Sequence, residues 1–276
     1  MYTLNCKGRL LVIEKPVVMG ILNITPDSFY SGSRVQQLDA ILLKAEQMIR
    51  EGAAILDIGG QSTKPGSDRL TAAEELQRVL PAIQLIKETF PETFLSIDTY
   101  HSIVAKETVA AGADIINDIS AGEMDEQMIA TVAALHVPYI AMHMKGSPET
   151  MQQNPVYEDV TKEVIDYFIQ KLNVCRQAGI TDIILDPGFG FGKTIQHNFQ
   201  LLKKLEVFQL FHVPILAGLS RKSTIWKTLN TVPEEALNGT TVLNTIALTK
   251  GASILRVHDV KEATEAIALQ QAYINA

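Results

Sequence analysis

Eight times along the chain a short apolar, β-branched run is followed at once by polar residues able to bind or polarise a ligand. Asn23 follows the first run, Thr63 and Lys64 lie in the loop after the second, Asp98 follows the third, and Asn117 with Asp118 follow the fourth. Met142 and His143 end the fifth, Asp186 ends the sixth, Arg221 and Lys222 open the segment after the seventh, and Arg256 and His258 close the eighth. Sorted by charge, these residues divide into two chemistries. Asp98, Asn117 and Asp186 offer acceptors and an amide that suit the N–H and amino edge of a planar heterocycle, because a carboxylate accepts two parallel hydrogen bonds. Arg221, Lys222, Arg256 and His258 form a cationic group suited to a phosphate-like anion. The competing reading is helix N-capping for the aspartates and scattered surface charge for the cations; convergence on one face is what separates the two.

The segment from Asp186 to Thr194 (DPGFGFGKT) matches neither common phosphate loop. Between Gly188 and the Gly-Lys-Thr there are three residues where a Walker A loop has four, and Lys193 breaks the Gly-x-Gly-x-x-Gly pattern. The glycines are read as close backbone approach to a flat ligand, with Phe191 free to pack on it; the alternative is a glycine-rich turn into a helix. The turn-rich loops after the first two runs, residues 25–32 and 61–67, read as lids that exclude water from a reactive electrophile, or as plain solvated loops. No Ser-His-Asp or Cys-His arrangement and no zinc-ligand spacing is present, which argues against nucleophilic and zinc chemistry.

These residues need a scaffold that gathers strand ends. The apolar runs alternate with helical patterns: helices are predicted over about Val35 to Glu51, from a Thr71 cap with Glu74 as capping-box partner to Phe90, and over Ser102 to Ala111. Further helices are predicted over about Asp125 to Leu135, up to Ala178, over Gln196 to Leu210, within the segment up to Lys250, and over Val260 to Tyr273. Eight strand–helix units of about 34 residues fit a (β/α)₈ TIM barrel of the α/β class, whose active site lies at the carboxyl ends of the strands. An open doubly wound sheet is the competing architecture, and the lack of a glycine-rich dinucleotide turn after the first strand favours the barrel. No linker or compositional break divides the chain, so residues 1–276 are expected to be a single domain.

The chain has 276 residues, 46% of them hydrophobic and 20% charged, which excludes a disordered or fibrous protein. With 24 Lys+Arg against 31 Asp+Glu the net charge is −7, so no nucleic-acid or anionic-membrane partner is expected and an anionic ligand needs a local basic pocket. Cys6 and Cys175 stand far apart and read as reduced thiols. With no signal-like start and no membrane-length apolar run, the expected location is the cytoplasm.

The assembled motifs resemble those of the dihydropteroate synthase family over essentially the whole chain. Residues 19–29 (MGILNITPDSF) are similar to that family's first signature, and Asp57-Ile58-Gly59-Gly60-Gln61-Ser62-Thr63 with Pro65-Gly66 to its second. Ile97-Asp98-Thr99, Ile116-Asn117-Asp118, Met142-His143-Met144, residues 186–193, Ser220-Arg221-Lys222-Ser223 and Arg256-Val257-His258-Asp259 follow in the family's order. The resemblance implies a transferase of folate biosynthesis, a sulfonamide target, that condenses (7,8-dihydropterin-6-yl)methyl diphosphate with 4-aminobenzoate to 7,8-dihydropteroate and diphosphate, assisted by Mg²⁺, as a homodimer. It also implies roles. Asp98, Asn117, Asp186 and Lys222 would bind the pterin, bordered by Met142, Phe191 and Gly218. Asn23, Arg256 and His258 would hold the diphosphate, Asn23 also being the metal ligand, and with Lys222 these are the expected catalytic residues. Phe29, Thr63, Lys64, Pro65, Arg221 and Ser223 would shape the aminobenzoate side. The implied route is SN1-like: the C–O bond breaks first and the arylamine captures the pterin-methyl cation.

Lys64 stands where the family usually has Arg, and Tyr100-His101 replace smaller or basic residues. Two rival functions remain within reach of the same motifs: a pterin-binding methyltransferase domain acting on methyltetrahydrofolate, and a pterin-binding paralogue without turnover. The Arg256/His258 pair and the lid signatures favour the synthase over the first, which would also need a corrinoid-bearing partner domain. Intact Asn23, Lys222 and His258 favour it over the second.

Overall fold

The computed structural model describes residues 1–24, 34–61, 69–146, 151 and 155–276. Phe29, Thr63, Lys64 and Pro65 lie outside the described residues. The chain opens with an antiparallel hairpin, β1 (Tyr2–Cys6) and β2 (Arg9–Ile13), that the sequence reading did not anticipate. Lys7 and Gly8 take positive φ (54° and 90°), the backbone of a tight two-residue hairpin turn.

Eight parallel strands follow: β3 (Val17–Asn23), β4 (Ala53–Gly59), β5 (Phe94–Asp98), β6 (Ile115–Asp118), β7 (Tyr139–Met142), β8 (Ile183–Asp186), β9 (Leu216–Ala217) and β10 (Ile254–Val257). They lie in the order β8-β7-β6-β5-β4-β3-β10-β9, and a single parallel bridge from Leu185 to Ile215 brings the two ends together. The strands read as unbroken apolar runs because both of their faces are covered. One parity, including Leu56, Ile58, Leu95, Ile97, Ile116 and Leu255, packs against the helices. The other supplies Met19, Ile55, Ile115, Ile140, Ile184, Leu216 and Ile254, a separate apolar layer inside the barrel. Leu4, Cys6, Leu11 and Ile13 of the hairpin join that inner layer, so the hairpin seals the floor and the polar strand ends form the opposite mouth.

The helices are α1 (Arg34–Arg50), α2 (Ala72–Thr89), α3 (Ser102–Ala111), α4 (Met128–Leu135), α5 (Val160–Gln177), α6 (Ile195–Lys203), α7 (Ser223–Thr228), α8 (Leu237–Thr249) and α9 (Val260–Ile274). The Thr71–Glu74 capping box forms as predicted, with Glu74 accepting from the Thr71 N–H at 2.8 Å. Two predicted helices are shorter. Asp125 does not open α4, because its carboxylate accepts from Ser102 N at 2.7 Å and Gln127 N at 3.0 Å and so caps α3 and the turn. The helix predicted to Leu210 ends at Lys203 and continues as a 3₁₀ segment, Leu205–Phe211. The seventh strand keeps only two residues: Pro214 has no N–H to donate, though its carbonyl accepts from Leu185 N at 3.0 Å.

Candidate active site

Sheet register does the first part of the assembly. Asn23 pairs with Gly59, Gly59 with Asp98, and Asp98 with Asn117, so four strands present these residues on one rung at the barrel mouth. Gly59 keeps the rung open: a Cβ there would stand 3.5 Å from Asn23 Oδ1 and 3.6 Å from Asp98 Cβ.

One step deeper lies a clamp that the sequence reading missed. Arg256 donates from Nε to Asp57 Oδ2 at 2.6 Å and from Nη2 to Asp98 Oδ2 at 2.5 Å. Asn117 Nδ2 donates to the same Asp57 oxygen at 3.0 Å, and the Asn117 side-chain oxygen makes no hydrogen bond to a described residue. Asp57 Oδ1 is buried without a partner among the described residues, and Arg256 Nη1 likewise makes no hydrogen bond to a described residue. Burial pushes the Asp98 carboxyl up to about 7 against the pull of Arg256, with Asp57, Asp118 and Asp186 adding to the rise. Burial also works against the charge on Arg256, but Asp57 and Asp98 outweigh it and hold its pKa above the ordinary value. A charged residue inside an apolar strand is the signal that singles out Arg256, and Asp57 carries the same signal.

The sixth to eighth units supply the rest. Asp186 Oδ1 accepts from Gly188 N at 2.7 Å. Burial pushes Asp186 up while Lys222 opposes it. Lys222 donates to the Phe189 carbonyl and sits 4.7 Å from the centre of the Phe191 ring; burial lowers its pKa to about 8, with Asp186 resisting. Gly218 lines the gap, since a Cβ there would lie 3.7 Å from Lys222 Nζ and 3.8 Å from Asp186 Oδ2. Met142, Phe191, Tyr100 and Ile119 form an apolar cluster of their own beside these polar groups. The result is a slot with acceptors on one edge, an ammonium on another and apolar side chains as its wall.

The four cations do not form the free cluster that the sequence suggested. Arg221, with φ of 54°, turns to Asp259, donating at 2.9 Å and 2.8 Å, and to the carbonyls of Pro233 and Glu234. Its charge is spent in holding β10 to the segment after α7. Ser223 is the first residue of α7. His258 is exposed at the mouth, with its Nδ1 3.0 Å from Ser220 Oγ.

Lys193, buried to 3% exposure, fixes the glycine loop. Its Nζ lies 2.9 Å from His143 Nδ1 and 2.9, 3.0 and 3.3 Å from the carbonyl oxygens of Gly188, Phe191 and His143, four acceptors that share the three N–H groups of the ammonium. Burial lowers the pKa of both partners, that of His143 to about 2, so its ring is the neutral acceptor. Close contact explains the glycine at 188: a Cβ there would lie 1.9 Å from the His143 carbonyl oxygen, and its φ is +69°. Tyr100 and His101, the departures noted in the sequence, bridge to Gln61 and Leu70, with Tyr100 Oη donating to Gln61 Oε1 at 3.1 Å and His101 Nε2 3.3 Å from Leu70 O.

Among the described residues no group of three His, Cys, Asp or Glu side chains can hold a metal ion. Asn23 Oδ1, exposed and without a hydrogen bond to a described residue, is a hard oxygen at the mouth. A single such ligand fits Mg²⁺, which keeps several waters and shares phosphate oxygens where the ligand brings them. No described helix is long and apolar enough to cross a membrane.

Residues 19–258 match the family model described as "Pterin binding enzyme". The chain is 44% identical over 275 residues to the dihydropteroate synthase of Escherichia coli strain K12, covering 99% of this chain and 97% of that protein. Its structure is similar to a Yersinia pestis dihydropteroate synthase in a sulfonamide drug complex, with a TM-score of 0.94, 40% identity and full coverage of both chains. It is also similar to a Xanthomonas albilineans dihydropteroate synthase with 4-aminobenzoic acid, with a TM-score of 0.93, 39% identity and coverage of 99% of this chain and 98% of that one.

Proposed function

Since the chain belongs to the pterin binding enzymes and, within them, to the dihydropteroate synthases, a class of transferases, we propose the following division of labour among its residues. Dihydropterin enters the slot with its N–H and amino edge toward Asp186 and Asn117. The observation that carries this reading is the pair of oxygens along that edge: Asn117 is tethered through one N–H to Asp57, which anchors its nitrogen on the Asp57 side and leaves its Oδ1 without a partner among the described residues, and Asp186 offers another oxygen beside Lys222. Lys222, over Phe191, faces a ring acceptor, while Met142, Phe191 and Gly218 bound the faces.

The diphosphate lies at the rung's outer end. Asn23 would hold Mg²⁺ there, the ion supplying positive charge to the phosphate oxygens. Arg256 offers its free Nη1, and His258 a ring edge, to the same group. Because Asp57 and Asp98 already balance Arg256, the guanidinium is held in place before the ligand arrives. The route is SN1-like: the bond from the pterin methylene carbon to diphosphate oxygen breaks with its electron pair going to diphosphate. The cation left behind is favoured by the nearby Asp98 and Asp186 carboxylates. The neutral amine of 4-aminobenzoate then attacks that carbon and loses a proton. Ser223 and residues Phe29, Thr63, Lys64 and Pro65 are assigned to the aminobenzoate side, while Arg221, expected there too, is engaged by Asp259 and serves the frame of that side and not the ligand. The family resemblance supports a single-domain homodimer in the cytoplasm; light scattering tests the dimer.

The assay is direct. The purified protein should form dihydropteroate, and release diphosphate, when pterin diphosphate, 4-aminobenzoate and Mg²⁺ are all present, apart from slow uncoupled hydrolysis. No dihydropteroate would overturn the reading. Methyltetrahydrofolate, the substrate of the rival methyltransferase, brings no diphosphate for Asn23, Arg256 and His258 to bind.

A further inference from the structure

His258 carries a second constraint, imposed by Ser220. The Ser220 hydroxyl oxygen accepts from the His258 backbone N–H at 3.1 Å and stands 3.0 Å from His258 Nδ1. Ser220 is buried, at 5% exposure, and its hydroxyl meets no other acceptor among the described residues. A hydroxyl has one proton to give. If Nδ1 carried the ring proton, two N–H groups would converge on one oxygen and the buried hydroxyl proton would have no partner. If Nδ1 is bare, the hydroxyl donates to it and every group is satisfied. The ring proton then sits on Nε2, the edge away from Ser220, in a ring that opens to the mouth.

We propose that Ser220 is a positioning residue that fixes His258 in its Nε2–H tautomer, so that a neutral donor and not a lone pair faces the departing diphosphate. The inference rests on the functional reading above, in which His258 meets the diphosphate. The sign of the contact depends on the tautomer: an Nε2–H attracts phosphate oxygens, whereas a bare Nε2 repels them. Charges around the ring agree with a neutral imidazole. Partial burial of the ring, though it still opens to the mouth, then Arg256, Arg221 and Lys222, hold its pKa below the ordinary value against the opposing pull of Asp259. His258 thus gives a hydrogen bond without giving up its proton.

The test combines spectroscopy with kinetics. Long-range ¹H–¹⁵N NMR of the ligand-free protein, with His258 assigned by His258→Gln, should show a pyridine-like Nδ1 and a pyrrole-like Nε2. Ser220→Ala should give a mixture of tautomers, and Ser220→Thr, which keeps the hydroxyl, should restore the wild-type pattern. In parallel, Ser220→Ala should lower kcat/KM for pterin diphosphate about 10-fold, the worth of one hydrogen bond, with the KM for 4-aminobenzoate unchanged, and Ser220→Thr should recover most of the loss. A protonated Nδ1 in the wild-type protein would overturn the inference even if the enzyme is fully active, and so would an unaltered tautomer in Ser220→Ala. Failure of the wild-type protein to make dihydropteroate would instead remove the functional reading, and the NMR result would still decide what Ser220 does to the ring.

Discussion

Glu75 is 1% exposed in the first turn of α2, where the Thr99 hydroxyl donates to its Oε2 at 3.2 Å and its Oε1 has no partner among the described residues. Burial pushes its carboxyl from an ordinary 4.5 to about 8, against the Thr99 bond, with Asp98 adding to the rise. A carboxyl whose folded pKa is raised contributes stability that is fully present below its unfolded value and is lost as pH rises through the folded one. At about 1.4 kcal/mol per pH unit, wild-type stability attributable to Glu75 should fall by about 4 kcal/mol between about pH 5 and pH 9. Glu75→Gln keeps the shape and removes the ionisation. The stability of the variant minus that of the wild type, from urea unfolding across this range, should therefore rise by about that amount, with the variant the more stable protein at the alkaline end. Common titrations elsewhere cancel in the difference. A difference that stays flat with pH would refute the claim that Glu75 is buried neutral.

Other expectations follow from the same contacts. Asp186→Asn should weaken binding of the pterin substrate; calorimetry giving an unchanged dissociation constant would reject its role. Arg256→Ala should cost about 2 kcal/mol in diphosphate affinity and about 3 kcal/mol in stability, since it strands Asp57 and Asp98. Adding Asp57→Asn should return part of that stability, and strict additivity in the double-mutant cycle would count against the clamp. Lys193→Met leaves three carbonyls and His143 Nδ1 without their donor, and should destabilise the protein by about 2–4 kcal/mol while raising the KM for pterin diphosphate. For Gly188→Ala, the overlap with the His143 carbonyl and the positive φ together predict a loss of about 3 kcal/mol or more, read by thermal unfolding.

The barrel was legible because parallel strands covered on both sides must be apolar throughout, and the polar residue that ends each run then marks the mouth. Asn23, Asp98, Asn117, Asp186 and His258 all emerge from that single rule. The hairpin escaped it because its strands are half-buried: Leu4, Cys6, Leu11 and Ile13 alternate with exposed neighbours such as Leu10 and Val12, a period-two pattern that blurs when the outer residues are also apolar. Asp57 escapes that rule because it lies inside its strand, two residues before the end at Gly59. Arg221 and Arg256 look alike in sequence, yet the first takes a left-handed backbone and turns to Asp259, a difference that depends on tertiary pairing and not on spacing. Lys193 offered only the failure to match a Walker loop. Its four acceptors come from two stretches of chain, the glycine loop (Gly188 and Phe191) and His143 with both its carbonyl and its ring, that only the fold brings together.

The shared rung of Asn23, Gly59, Asp98 and Asn117 makes the barrel mouth a ruler. Neighbouring strands lie about 4.8 Å apart, so the gauge of the slot is set by main-chain hydrogen bonds in steps of that size. Side-chain exchange on the rung can alter what each mark recognises, but it cannot alter the distance between marks. Only a slip of a whole strand could do that, and a one-residue slip of β5 would put Ile97 or Thr99 where Asp98 stands, trading recognition for none. Chemical preference at this mouth is thus open to stepwise change, one residue at a time, while its span is locked to the barrel.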